Sequence, residues 1–147
     1  MVRQVLMLIE DNPYDQVLTL RAFHRSCAAS VVVARDGFEA LRYLLGEDGT
    51  PAPAELPTLA VLDLKLPRMD GFEVLRRLRA HRRTQLLPVV ILSSSVEEGD
   101  LARCYALGAN SYLRKPVDFV EFVSVASALG SYWLGLNRPP PPARMEN

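Results

Sequence analysis

Polar side chains stand where apolar runs stop. Val5–Ile9 gives way to Glu10-Asp11, Leu59–Leu62 to Asp63, residues 89–92 to Ser93-Ser94-Ser95, and residues 111–113 lead on to Lys115. Any one of these is ordinarily a capping or solvated residue. Asp63 resists that explanation, because it interrupts Leu59-Ala-Val-Leu62 and Leu64 in an otherwise apolar stretch. Brought to one place, Glu10, Asp11 and Asp63 set three negative charges against the one positive charge of Lys115. At about 4 Å and an effective dielectric near 20, each carboxylate pair repels by roughly 4 kcal/mol. Either one acid takes up a proton or a divalent cation sits among them. Acids without His or Cys beside them favour a hard ion, Mg2+ above all, which keeps waters and accepts phosphate oxygens. A carboxylate beside such a metal, a lysine and a hydroxyl is placed for phosphoryl transfer. Asp63 is then the nucleophile, and the metal and Lys115 screen charge on the transferring oxygens.

Such a cluster needs a frame that delivers several strand ends to one edge. Candidate strands are Val5–Ile9, Ser30–Ala34, Leu59–Leu62, 89–92 and 111–113, rich in Val, Leu and Ile and mostly without in/out alternation. That pattern fits strands buried on both faces of a parallel sheet. Helix starts are readable between them. Asn12-Pro13 puts an N-cap residue before Pro at the first helical position. Asp36-Gly-Phe-Glu39, Asp70-Gly-Phe-Glu73, Ser95-Val-Glu-Glu98 and Asp118-Phe-Val-Glu121 follow capping-box logic, each after a candidate strand. The result is a (βα)5 pattern and a doubly wound α/β sheet, whose ligands sit beyond the carboxyl ends of the strands. The Pro- and Gly-containing stretch 46–57 reads as a surface loop, and 139–142 as the start of a stiff polyproline-type tail. We expect one domain over residues 1–136 and a Pro-rich tail over 137–147, with no residues left for a second domain.

Composition narrows the function classes. The 147 residues are 49% hydrophobic and 23% charged, a globular balance. Lys plus Arg and Asp plus Glu are 17 each, so no general electrostatic case exists for binding nucleic acid or an anionic membrane. The basic run Arg76-Arg77-Leu78-Arg79-Ala80-His81-Arg82-Arg83 has no aromatic interleaving and reads as a solvated helix face. No apolar run approaches the 18 residues of a membrane span, and Val5–Ile9 is too short for a signal peptide. Cys27 and Cys104 lie in apolar stretches without metal-ligand spacing and read as buried thiols of a reducing compartment. A cytoplasmic protein is expected.

Taken together, Glu10-Asp11, Leu62-Asp63-Leu-Lys-Leu-Pro-Arg-Met-Asp-Gly71, Ser93 and Lys115-Pro116 resemble the receiver domain of two-component response regulators, over about Val5 to Trp133. The intervals Asp11 to Asp63 and Asp63 to Lys115 are both 52 residues, close to that family's spacing. The resemblance implies a five-stranded parallel sheet of flavodoxin-like order 2-1-3-4-5. It implies that Asp63 accepts a phosphoryl group from a phosphohistidine on a sensor kinase. Asp11, Asp63 and the backbone carbonyl of Lys65 would ligate Mg2+ (or Mn2+), with Glu10 acting through water. Lys115 would hold a phosphoryl oxygen, and its bond to Pro116 is expected to be cis. Ser93 stands where the family usually has Thr. The hydroxyl is kept and the methyl that stiffens the rotamer is lost. Tyr112 matches the aromatic switch that turns inward when Ser93 rotates to the phosphate. The segments Glu10-Asp-Asn-Pro-Tyr-Asp15 and Gly108-Ala-Asn-Ser-Tyr-Leu-Arg-Lys-Pro-Val-Asp118 and the long last helix further resemble stand-alone regulators paired with phytochrome-type kinases.

Output would run through the fourth helix, fifth strand and fifth helix. Phe119, Phe122, Val123, Ala126, Leu129 and Trp133 form a helical core stripe, while Val125, Tyr132, Leu134 and Leu136 lie off it. An apolar second face points to a partner, and a homodimer through this region is expected. The first helix, with Tyr14, Val17, Leu18, Leu20, Ala22 and Phe23, is partly apolar on its outer side and suits kinase docking. Three alternatives stand beside this reading: a phosphorelay shuttle without an effector role, an aspartyl-phosphate phosphatase, and a degenerate receiver that only binds. The phosphatases carry a second Asp where this chain has Lys65, and a cap domain. The full set Asp11, Asp63 and Lys115 argues against the degenerate receiver.

Overall fold

Side chains of successive strand residues point to opposite faces, and in this chain each face has its own helices. The computed structural model describes residues 4–26, 29–46 and 51–141. The elements are β1 (Val5–Ile9), α1 (Pro13–Ser26), β2 (Ser30–Ala34), α2 (Gly37–Leu45), β3 (Leu59–Leu62), α3 (Gly71–Ala80), β4 (Val89–Ser93), α4 (Glu98–Ala106), β5 (Ser111–Arg114) and α5 (Phe119–Leu129). All strand pairs are parallel, in the order β2-β1-β3-β4-β5. Met7, Ile9, Ala60, Leu62, Val89 and Ile91 pack with Leu41, Leu44, Val74, Leu75, Leu78 and Cys104 of α2, α3 and α4. Leu6, Leu8, Val61, Val90 and Leu92 pack on the other face with Ala22, Phe23, Phe122, Ala126 and Leu129 of α1 and α5. This is the doubly wound sheet expected from the sequence.

Strand register puts Ala34, Ile9, Leu62, Ile91 and Tyr112 in one row across the sheet. The residues that follow this row in β1 and β3 are Glu10 and Asp63. These two strands are neighbours at the point where chain order reverses, where an open α/β sheet forms its crevice.

Caps fix where the helices begin. Asn12 Oδ1 accepts the backbone N–H groups of Tyr14 and Asp15. Asp36, Asp70 and Asp118 accept those of Glu39, Glu73 and Glu121 at 2.8–2.9 Å, each stabilising its helix by about 1 kcal/mol. The fourth expected box, at Ser95, does not cap α4. Its hydroxyl donates to Asp100 Oδ2 at 2.6 Å and accepts the Glu97 N–H, a turn of its own, and the helix begins later, at Glu98.

Two further expectations are corrected, the isomer of the Lys115–Pro116 bond and the part played by the basic run. No peptide bond among the described residues is cis, so Lys115–Pro116 is trans. An X-Pro bond prefers trans by about 0.5–1 kcal/mol and needs nothing to hold it there. The last helix continues past α5 as a π-helical segment, Gly130–Leu136. Together Phe119–Leu136 is long and apolar enough to cross a membrane by length and composition, although Glu121 and several Ser and Gly residues keep it from being an unbroken apolar run. Here its Phe122, Ala126 and Leu129 are buried against α1 and the sheet. The basic run does more than solvate a helix. Arg76 and Arg77 pair with Glu73, Arg79 donates to the carbonyls of Gly108, Thr84 and Gln85, and Arg83 to those of Leu44 and Pro53. Cys104 is buried, which pushes its thiol up to about 11 and keeps it protonated. Cys27, residues 47–50 of the loop and residues 142–147 of the tail lie outside the described residues.

Candidate functional site

β1 and β3 end side by side, so the acids that follow them meet. Carboxylate oxygens of Glu10, Asp11 and Asp63 lie within 4.8 Å of one another. Glu10 is 2% exposed and Asp63 7%. Lys115 comes in from the end of β5, where its backbone N–H donates to Ser93 O at 2.7 Å. Its Nζ then lies 2.6 Å from Glu10 Oε1, 2.9 Å from Asp15 Oδ2 and 3.2 Å from Asp63 Oδ2. Asp15 was not singled out in the sequence. It occupies the first turn of α1, where an acid is explained by the helix dipole alone, and only the fold turns it toward the lysine.

Charge in this cluster is finely set. Burial pushes the Glu10 carboxyl up to about 7, with the Asp63 charge adding to the rise and Lys115 and the Asn12 N–H opposing it. Burial alone would lower the Lys115 ammonium. Its bonds to Glu10 and Asp15 and the charge of Asp63 outweigh that and hold it protonated far above neutral pH. One cation therefore faces the three clustered acids and Asp15. An all-oxygen donor set with excess negative charge, partly buried and open on one side, fits a hard divalent cation. Glu10, Asp11 and Asp63 could hold it.

The β3–α3 loop shapes Asp63. Gly71 sits so close to it that a Cβ there would lie 2.5 Å from Asp63 O and 2.7 Å from Leu64 Cα. The Gly71 N–H donates to Leu64 O at 2.8 Å, folding the loop back on itself. Lys65 directs its N–H toward Asp63 Oδ1 at 3.4 Å while its side chain is exposed. Across the rim, Ser93 is fully buried at the end of β4, and its Oγ accepts the Ser95 N–H at 3.1 Å. The Tyr112 hydroxyl donates to the Ser95 carbonyl, also at 3.1 Å. Ser93 and Tyr112 thus meet through Ser95, a residue whose joining role no local pattern announces.

A parallel sheet of this order, with acids at the β1 and β3 ends and a lysine after β5, is the arrangement expected of a receiver domain. The model of the response regulator receiver domain family matches residues 6–127, and the chain belongs to that family. Proteins of this family are signalling components of two-component systems whose partner is a histidine kinase. The chain is 39% identical over 140 residues to the probable methanogenesis regulatory protein FilR2 of Methanothrix harundinacea, covering 95% of this chain and 89% of that one. It is similar to the phosphorylated cyanobacterial phytochrome response regulator RcpA, at 34% identity and a TM-score of 0.88 over 95% of this chain and all of the other. The Mn2+-bound form of Rcp1 superposes at 30% identity and a TM-score of 0.84, over 94% and 99% of the two chains; Rcp1 comes from Synechocystis.

Proposed function

We propose that this protein is a single-domain response regulator that accepts a phosphoryl group on Asp63 from a sensor histidine kinase of the phytochrome type, with Mg2+ or Mn2+ bound. The observation that carries the reading is the nearly buried Asp63 carboxylate, 3.2 Å from the Lys115 ammonium and clustered with Glu10 and Asp11. An Asp63 oxygen attacks phosphorus as the P–N bond of the phosphohistidine breaks, and the imidazole nitrogen leaves with the electron pair and takes up a proton. Asp11, Asp63 and the Lys65 carbonyl would hold the cation, with Glu10 acting through water. Held there, it would supply positive charge to offset the acids and the charge on the transferring oxygens. Lys115 grips one phosphoryl oxygen. Ser93 turns its hydroxyl to another, giving up the Ser95 N–H, and Tyr112 repacks toward the vacated space. The only chemistry the protein performs for itself is this transfer and the later hydrolysis of the acyl phosphate.

Similarity to RcpA, a phytochrome response regulator, supports the kinase assignment. The exposed Tyr14 and Val17 of α1 and Val117 of the β5–α5 loop offer the docking face. The signal leaves by protein contacts from a homodimer formed through α4, β5 and α5, in the cytoplasm, with residues 1–136 as the receiver and 137–147 as a tail. Incubating the protein with Mg2+ and a small phosphodonor should yield a hydroxylamine-labile adduct that Asp63→Asn abolishes. Absence of the adduct in the parent protein refutes the proposal, and steady turnover of a phosphate ester would make it a phosphatase.

A further inference from the structure

We propose that Arg68 is a positioning residue, whose guanidinium ties the 63–71 loop to the start of α2 and so sets the Asp63 and Lys65 backbone for the divalent cation. This rests on the metal-assisted reading of the site given above. Among the described residues, Arg68 is the one non-glycine residue with a positive φ, 65°. A side chain disfavours that region. The Met69 N–H donates to Pro67 O at 2.7 Å around it, a three-residue turn of the rarer, strained kind. Something must hold the chain there.

The side chain supplies the hold. Arg68 Nη2 donates to Asp36 Oδ2, and its guanidinium carbon lies 5.1 Å from the centre of the Phe38 ring. Asp36 is itself fixed, because its other oxygen caps α2 through the Glu39 N–H at 2.8 Å. That cap bond first, and Arg68 with it, hold the Asp36 carboxyl below its ordinary range. A second contact joins the same two parts, since a Cβ on Gly37 would lie 3.0 Å from Met69 Sδ. The loop beyond is short and closed, through Leu66 N–H to Leu64 O at 3.2 Å and Gly71 N–H to Leu64 O at 2.8 Å. A shift at residue 68 therefore reaches Lys65 on one side and the Gly71 contact with Asp63 on the other. The Arg68 side chain is 67% exposed, so the pair adds little to global stability. Its effect belongs to the geometry of the loop, and the test reads geometry.

Arg68→Gly removes the tether while suiting the positive φ, and Asp36→Asn keeps a capping oxygen while removing the charge. Mn2+ binding, followed by the electron paramagnetic resonance of the free ion, should weaken by about two- to fivefold in each variant. The double variant should fall no further than the weaker single, and Arg68→Lys should recover most of the loss. In metal-free protein, amide exchange at Met69 and Gly71 should quicken in both single variants while the melting midpoint in EDTA stays at the parent value. Unchanged Mn2+ affinity with unchanged exchange overturns the proposal, as do strictly additive losses or losses matched by lowered melting. If the parent protein bound no Mn2+, the metal reading would fail first, and unchanged exchange would separately remove the tether.

Discussion

Glu10 shows how one residue in this cluster trades a proton for a cation. Its carboxyl titrates near 7 in the folded chain against an ordinary value of 4.5, because burial and the Asp63 charge disfavour the anion. Between those values the folded protein binds a proton that the unfolded chain does not. Without metal, the Glu10 contribution to stability is therefore full below pH 4.5 and is lost as pH rises through 7. A divalent cation competes with that proton, so Mg2+ affinity should climb as pH rises from about 5.5 and level off above 7. Titration of the purified protein across this range checks the slope, and Glu10→Gln should flatten it. An affinity independent of pH would remove Glu10 from the site's charge balance. Much of this site was legible at the residue scale, because Glu10, Asp11, Asp63 and Lys115 each follow or break an apolar run. Asp15, Arg68 and Ser95 were not, since their roles depend on reach between elements that no local spacing records.

Elements decide how tightly those residues are held. Strands were legible in the sequence almost to their ends, because residues buried on both faces leave unbroken Val, Leu and Ile runs. Three Asp caps were legible for a similar reason, the capping oxygen and its N–H lying only three residues apart. The start of α4 was not, because the Ser95 hydroxyl had a competing partner in Asp100. Nor was the π-helical end of the last helix, whose apolar pattern stays compatible with an α-helix. The β3–α3 junction combines both lessons. Asp70-Gly71 reads as a helix start, yet the glycine is also required by the approach of the Asp63 backbone, 2.5 Å from where a Cβ would stand. Both close atoms there are main chain and cannot swing aside. Gly71→Ala should lower stability by about 1–3 kcal/mol and reduce phosphorylation of Asp63 by more than the fraction unfolded explains. Denaturant melts and initial rates with a small phosphodonor measure the two effects separately. A variant with parent stability and rate would show that the loop tolerates displacement.

At the scale of the whole molecule, burial is uneven. The sheet's inner strands are covered on both faces, while β5 is an edge with α4 and the last helix beside it. Leu101 and Tyr105 of α4, Val120 of α5 and Tyr132 and Leu136 of the π-helical segment remain exposed, Val120 and Leu136 at 77% and 76%. Between β5 and the last helix lies a groove of about 440 Å3 lined by Leu113, Val125, Leu129, Tyr132 and Trp133. Tyr132 stands edge-on to Trp133 with ring centres 5.0 Å apart, and both line the groove. Exposed apolar side chains on α4, α5 and the π-helical segment support the dimer proposed through α4, β5 and α5. Burying a large apolar side chain is worth about 1.5–3 kcal/mol, so losing one at the centre of the interface weakens association by about ten- to a hundredfold. Sedimentation velocity should find the parent protein dimeric at micromolar concentration and Tyr132→Glu or Leu136→Glu shifted to monomer, with melting of the monomer unchanged because neither side chain is in the core. The protein's one tryptophan, Trp133, reports the same event by its fluorescence on dilution. A parent protein that sediments as monomer at every concentration would overturn the dimer and leave this face to another partner.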